Sequence, residues 1–537
     1  MDSHCREHKL VFAEIMRWWR AAAAAGGGAG LLAYSWQRGY VAHTAQHAPS
    51  ERYDAAVIGG GVIGLSVLRE LAVRGHRVVL LEKEPHLVAG AASSGNSGIG
   101  CTGYDAPAGT LERALLRRSI QLHPELMRTL GLRYEHVNKC GAIVVARSAE
   151  QLQGLRHVVD ANAAAGDPEA EEMSRDELLR REKSLCPEVS GGVLVPREVV
   201  VEPWLIPIAF AHSAQLHGAD IFTGQHIVSA KWNQGHWRLM SAANKSIEAN
   251  AVINCAGLYS DEVEQACLNA QARFKIQPRK GQFLVLEPQG GQQLEHVLQP
   301  VPTQYSKGVF VWATVWGTVV VGPTAEDQDS KTDLSINPST AARLLEHATS
   351  MVPALKTARV LGSYSGLRPA TEFRDYQISA HPDKNWITVG GIRSTGLTAS
   401  PAIGEYVAFL HATMHLGSSS QHPFSAQAVD FCPEYSTILK ENSKHSIITS
   451  LPRAGSPVPV FRAPEVGFPY RSTSLYPSPA KVAANPRVPS LEELALNYAA
   501  RGDGKVEVFG RPWQVTHALT HHGLLSLSRR LRSQQGA

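Results

Sequence analysis

Cysteine is sparse in this chain. There are seven in 537 residues (Cys5, Cys101, Cys140, Cys186, Cys255, Cys267 and Cys432), scattered and without a C-x-x-C pair. That spacing excludes the common zinc sites and a cysteine-ligated cluster, so no metal is expected, and isolated thiols in odd number fit a reducing compartment. A dominant charge is also lacking: 52 Lys and Arg face 48 Asp and Glu, a net +4. For a chain of this length that balance implies no nucleic-acid partner. The apolar stretch Ala21–Tyr34 falls short of the roughly 20 residues of a spanning helix, and its glycines weaken a helix further. Acidic residues are missing from Met16 to Ser50, where Arg17, Arg20 and Arg38 are spread among alanine, tryptophan and glycine. Arginines without acids are the composition of an organelle-targeting segment. Residues 1–50 are therefore expected to be a mitochondrial presequence, a short membrane anchor or a disordered tail, outside the fold.

What is present is globular. Hydrophobic residues make up 44% and charged residues 19%, ordinary values for a folded chain long enough for two or three domains. The informative stretch is Tyr53–Glu82. A buried-strand run, Ala55–Ile58, is followed by Gly59, Gly61 and Gly64 at G-x-G-x-x-G spacing. Leu65, Val67, Leu68 and Leu71 then follow at helical spacing, Gly75 stops the helix, and a second run, Val78–Leu81, ends on Glu82. Each part serves dinucleotide binding. Gly59 allows the tight turn, Gly61 admits a pyrophosphate, and Gly64 lets the helix pack on the strand, while Glu82 accepts from the adenosine ribose hydroxyls. The helix N-terminus, opening at Val62 and Ile63, offers N–H groups to the phosphates. An acid at position 82 disfavours a 2′-phosphate, so NADP is set aside, while FAD and NAD remain open at this point.

The small-residue run Ala89–Asp105 lies directly after the ribose-binding strand, where Ser93, Ser94, Asn96 and Ser97 are placed to hydrogen-bond a cofactor. Leu111–Leu130 reads as an amphipathic helix. Helices are also expected over Gln151–Ala165, over Ser174–Lys183 from a Ser174/Glu177 capping pair, and from Pro203 through Leu216. Strands are expected at Gly141–Ala146, Gly192–Pro196 and Val199–Val201. Ala219–Thr223, His226–Ser229, Trp237–Met240 and Ser246–Ala249 read as short strands, and Ala251–Asn254 as a separate buried strand ending in Cys255-Ala256-Gly257. That return to small residues marks re-entry into the nucleotide fold after an inserted substrate domain. Ile276–Pro323 is β-rich, suggesting the substrate-side wall, and Ser339–Met351 is helical. Arg368, between Leu367 and Pro369, is expected to be held for an anion, which its guanidinium fork pairs bidentately. Trp386–Gly391 is a strand, and its glycine turn feeds a helix through Val407 whose N-terminus favours negative charge on a ring. Residues 416–487 are a Ser/Pro-rich linker. The small extension 488–537 contains a helix (Pro489–Ala499), a hairpin (Gly502–Gly510) and a basic tail.

Six segments together resemble the FAD-dependent oxidoreductases of the D-amino-acid-oxidase superfamily. They are D-A-A-V-I-G-G-G-V-I-G-L, S-G-N-S-G-I, N-C-A-G-L-Y-S-D, R-K-G-Q-F-L-V-L, S-Y-S-G-L-R-P and G-I-R-S-T-G-L-T-A-S-P-A-I. The branch resembled contains FAD-linked glycerol-3-phosphate dehydrogenases and L-2-hydroxyglutarate dehydrogenases. The resemblance implies FAD and an α/β architecture, a Rossmann-like FAD-binding domain interleaved with a β-sheet-rich substrate domain. The expected FAD segments are about 51–135, 220–270 and 360–415, and the substrate segments about 136–219 and 271–359. It places Lys83, Gly98, Val228, Ala256, Gly257 and the run Gly396, Leu397 and Thr398 against the cofactor, the last three near the flavin pyrimidine. Arg368 would meet the substrate anion, with Lys280 and Tyr305 as helpers. Members often carry a histidine where this chain has Cys101.

The expected activity is hydride transfer from a small anionic 2-hydroxy compound, glycerol 3-phosphate or an L-2-hydroxy acid such as L-2-hydroxyglutarate, to flavin N5. A quinone or an electron-carrier protein would take the electrons, with peripheral membrane association. An amino-acid or amine oxidase and a flavin-binding scaffold without turnover are the alternatives, because fold alone does not decide chemistry.

Overall fold

The computed structural model describes residues 52–164, 170–288, 294–302, 308–414 and 488–535. The expected presequence, the 416–487 linker and Tyr305 lie outside them. Arg52–Ala537 forms one unit.

Two sheets organise this unit. In the first, Asp220–Phe222, Val78–Leu81, Tyr53–Ile58, Ser246–Asn254 and Trp386–Gly390 run parallel in that order, with Gln377–His381 antiparallel at the edge. Successive residues of a strand face opposite sides, and here both sides are covered. Ala55, Val57, Val78, Leu80 and Ile253 enter a core with helices Val62–Val73, Leu205–Leu216 and Gly396–Met414. Their neighbours Ala56, Ile58, Val79, Leu81 and Val252 enter another with Trp237, Leu239 and Leu268. Burial on both faces explains why these strands read as unbroken apolar runs.

The second sheet runs Glu326–Asp327, Gln277–Glu287, Val319–Gly322, Phe310–Ala313, Val297–Pro300, Ala142–Ala146, Gly191–Val195, Glu171–Ser174, with Arg359–Ala370 on the long strand Gln277–Glu287. Helix Pro338–Met351 closes one face through Leu344, Ala348 and Met351.

Several expectations shift. Ser246–Ala249 and Ala251–Asn254 are one strand, whose first half pairs with the His236–Ser241 hairpin arm and whose second half pairs with Trp386–Gly390. The substrate segment 136–219 ends too late. Helix Leu205–Leu216 belongs to the nucleotide layer, where Arg69 Nε donates to Ser213 Oγ at 3.2 Å. The FAD segment 360–415 starts too early, because Arg359–Ala370 pairs along the second sheet. In the extension the helix is Leu491–Arg501, opened by a Ser490/Glu493 capping box. The hairpin joins Lys505–Val508 to Arg511–Gln514 rather than closing within 502–510. The basic tail is a helix, Ala518–Gln535. Leu494, Val506 and Leu524 share the nucleotide-layer core, so the extension is part of the body.

Candidate cofactor and substrate site

Gly59 adopts φ +110°, and a Cβ there would sit 2.5 Å from the Cys255 carbonyl oxygen. A Cβ on Gly64 would sit 1.9 Å from the Gly59 carbonyl oxygen. The turn therefore exists only with glycines, which bring the helix start down onto two strand ends. Helix Val62–Val73 begins with Gly61 as N-cap, without a side-chain cap and without an acid in its first turn. Its positive end thus stays open for an anion, and among its first N–H groups Val62 donates to Ser93 Oγ at 3.1 Å. Glu82 is buried at the next strand end and accepts from the Gly60 N–H and, at 2.8 Å, from the Glu84 N–H. Burial raises its pKa, against the lowering pull of those backbone donors.

Gly59, Gly61, Val62, Glu82 and Ser93 line a cleft of about 630 Å³ together with Ile63, Lys83, Asn96, Val228, Ala256, Gly257, Gly396 and Leu397. Val228 is 44% exposed, an apolar side chain open at the cleft rim. The uncapped helix start, the glycine floor and the acid at the ribose position fit a dinucleotide. Other expected contacts lie off this cleft. Gly64 is committed to helix–strand packing. Ser94 Oγ donates to Gly90 O at 3.0 Å, and Gly98 packs on Val201. Thr398 Oγ1 accepts the Cys101 N–H at 3.0 Å, so its side chain holds the neighbouring loop. Ser97 lines the second cavity described next.

That cavity, about 420 Å³, shares Ala92, Asn96, Arg393 and Ser394 with the cleft. Arg368 lines it, and Arg279, directly opposite across the paired strands, lines it too. Gly281 makes room for the guanidinium: a Cβ there would sit 2.9 Å from one of its nitrogens. Arg368 donates to the carbonyl oxygen of Thr324 at 3.2 and 3.3 Å. Burial lowers its pKa to about 10, with the positive charges of Arg279 and Arg393 adding to the effect. It stays charged at neutral pH. Several half-buried guanidiniums lining one cavity favour an anionic ligand, although Asp327 stands 3.5 Å from Arg279 Nε. Loop and strand are pressed together at this point, since a Cβ on Gly366 would sit 2.3 Å from the Gly95 carbonyl oxygen.

Lys280 is not part of this wall. It pairs with Leu367 in the register, on the other face from Arg279 and Arg368, and its ammonium binds Asp333 at 2.7 Å. Of the Arg279–Lys280 dipeptide, it is Arg279 and not the expected helper that lines the cavity. Arg279 was missed because nothing local in R-K-G-Q states which side of the strand faces the cavity. Cys101 lines the cavity, its sulfur 3.5 Å from Thr398 Oγ1.

The family model for FAD-dependent oxidoreductases (DAO) matches residues 54–410, most of the described body. The chain belongs to this family. FAD is thus the cofactor of this oxidoreductase. A glycerol 3-phosphate dehydrogenase from Caloramator mitchellensis is 32% identical over 356 residues, covering 66% of this chain and 73% of that one. A glycerol 3-phosphate oxidase from Mycoplasma pneumoniae is 30% identical over 361 residues, covering 66% and 93%. An L-2-hydroxyglutarate dehydrogenase from Escherichia coli K12 is 28% identical over 277 residues, covering 51% and 64%. Among solved structures, the FAD-bound L-α-glycerophosphate oxidase from Mycoplasma pneumoniae superposes with a TM-score of 0.61 at 27% identity, over 70% of the oxidoreductase and 97% of that chain.

Proposed function

We propose that this oxidoreductase oxidises a small anionic 2-hydroxy compound, with glycerol 3-phosphate as the first candidate and an L-2-hydroxy acid such as L-2-hydroxyglutarate as the second. The observation that carries the reading is the Arg279–Arg368 pair, side by side in a cavity that adjoins the dinucleotide cleft. Relatives named for glycerol 3-phosphate support it.

FAD would be held by the Gly59–Gly64 turn, the N-terminus of helix Val62–Val73, Glu82, Val228, Ala256–Gly257 and the Gly396–Leu397 helix start, and it supplies the acceptor for the hydride. The chain's own work is placement. Arg279 and Arg368 fix the substrate anion, Gly281 leaves space for the Arg368 fork, and the Gly95–Gly366 contact sets the distance between loop and strand. Half-buried guanidiniums bind and orient more strongly than fully exposed ones because water competes less.

The test is anaerobic loss of the flavin's visible absorption on adding glycerol 3-phosphate, L-2-hydroxyglutarate or glycine separately. Bleaching by glycerol 3-phosphate is expected. Bleaching by glycine alone, with ammonia released, would replace this reading by an amino-acid oxidase. The electron acceptor belongs to the same proposal, as a quinone or a carrier protein met at a membrane surface. So does mitochondrial targeting by residues 1–50, supported by their acid-free, arginine-bearing composition and checked by whether they carry a fused reporter into mitochondria.

A further inference from the structure

Lys280 and Lys331 both act on one loop, residues 328–335, which leaves the second sheet after Glu326–Asp327 and leads to helix Pro338–Met351. The loop is well built. Ser330 Oγ accepts from the Thr332 and Asp333 N–H groups at 3.2 and 2.9 Å, and Ser365 Oγ donates to Leu334 O at 2.8 Å. Lys280, itself buried, anchors it by the 2.7 Å bond to Asp333. Lys331, Thr332 and Leu334 line the cofactor cleft, and Leu334 is 42% exposed.

Lys331 reaches the opposite wall. Its ammonium lies 2.9 Å from Asp261 and 2.6 Å from Glu262, at the start of helix Ser260–Leu268, which follows the Ala256–Gly257 turn of the nucleotide sheet. It also stands 5.5 Å from the ring centroid of Tyr259, over which Lys83 sits at 3.7 Å. Tyr259 and Glu262 line the same cleft. One side chain of the substrate-side loop is thus tied to the nucleotide-side wall across the space both enclose.

We infer that residues 328–335 form a clasp over the cofactor cleft, fastened by the bridge from Lys331 to Asp261 and Glu262, with Lys331 a positioning residue for retention of FAD. The inference rests on the cleft being the FAD site. Release of the cofactor requires the clasp to open, and the Glu262 arm of the bridge, 60% exposed, is the part open to screening ions, while the Asp261 arm is largely shielded.

The experiment dilutes holoenzyme and follows recovery of free-flavin fluorescence at low and high salt. Wild-type release is expected to accelerate with salt. Lys331→Met should release FAD about two- to fivefold faster at low salt and lose most of the salt dependence, while Lys331→Arg restores both. Wild-type release rate and salt response in Lys331→Met overturn the clasp, and so does a variant whose only change is a lower apoprotein melting temperature. Gly61→Val separates the two possible failures: it should abolish FAD binding. If it binds FAD normally, the cleft assignment falls and the clasp with it. If it does not bind, and Lys331→Met releases at the wild-type rate, the clasp alone falls.

Discussion

Arg279 and Lys280 are adjacent in sequence and do unrelated work. Pairing of Arg279 with Arg368 and of Lys280 with Leu367 puts one guanidinium into the arginine-lined cavity and one ammonium behind the strand on Asp333. A charge-assisted hydrogen bond contributes about 1.5–3 kcal/mol, and each 1.4 kcal/mol is about tenfold in affinity. Arg368→Ala should therefore raise KM for glycerol 3-phosphate by about 10- to 100-fold, and Arg279→Ala should move it in the same direction. Lys280→Met should leave KM near wild type while loosening FAD. Steady-state kinetics beside a flavin-release assay checks the dissociation; a KM defect in Lys280→Met equal to that of Arg279→Ala would return Lys280 to the substrate site. The nucleotide turn was legible in the sequence because its logic is local: strand, glycines, helix and acid lie within thirty residues. The arginine-lined cavity was half legible. Arg368 stood out by its apolar flanks, whereas the orientation of Arg279 is a property of strand register.

Elements differ in how they announce themselves. Helix Val62–Val73 has a glycine start, apolar spacing and a glycine stop. Helix Ala518–Gln535 carries Gly523, two adjacent histidines and several serines in place of a clear apolar stripe, so the sequence shows only a basic tail. Its order comes from what it packs on. Gly523 lies against the Trp316 indole, where a Cβ would meet the ring at 2.3 Å. Thr520 Oγ1 donates to Glu202 at 2.7 Å, and the Ala518 N–H reaches Ser94 O at 3.4 Å. Helix Ala149–Ala164 offers the opposite case, since Gly154 sits mid-helix and a Cβ added there would have nothing within 4 Å. Gly523→Val should destabilise the protein by about 1–3 kcal/mol through overpacking, and Gly154→Ala should stabilise it by about 0.5–1 kcal/mol through helix propensity. Urea midpoints measure both; a neutral Gly523→Val would mean that the terminal helix is not seated on Trp316.

At the scale of the whole molecule, buried titratable groups set how stability follows pH. Burial raises the Glu202 pKa to about 7, although Thr520, the Trp204 N–H and the Trp316 indole N–H all donate to its carboxylate. Burial lowers His517 to about 3 and His136 to about 4. His136 is bonded at both nitrogens, Nδ1 accepting the Arg133 N–H at 3.0 Å and Nε2 facing Pro489 O at 3.1 Å, and its burial outweighs the raising pull of the Pro489 carbonyl. In the unfolded chain the carboxyl ionises near ~4.3 and the imidazoles near ~6.5. Between about pH 4.5 and 6.5 the unfolded chain gains two histidine protons that the folded chain does not take. Over the same window folded Glu202 keeps one that the unfolded chain has lost. For these three groups the difference is about one proton, so their joint contribution to stability rises with pH by up to about 1.4 kcal/mol per unit, and the lowered pKa values of His123, His347, His521 and His522 act in the same direction. Towards pH 7 the unfolded histidines lose their protons while folded Glu202 still holds part of its own, so the opposing contributions cancel and the rise levels off. Glu202→Gln removes the opposing proton. It costs overall stability, because the amide nitrogen cannot accept from one of the three donors, but it should steepen the rise below pH 6.5 by about one proton and carry the rise on past pH 7, where the wild type levels off. Denaturant unfolding at a series of pH values reads the slope directly. A parallel offset of the Glu202→Gln curve from wild type would show that Glu202 is ionised throughout and that its three donors outweigh its burial.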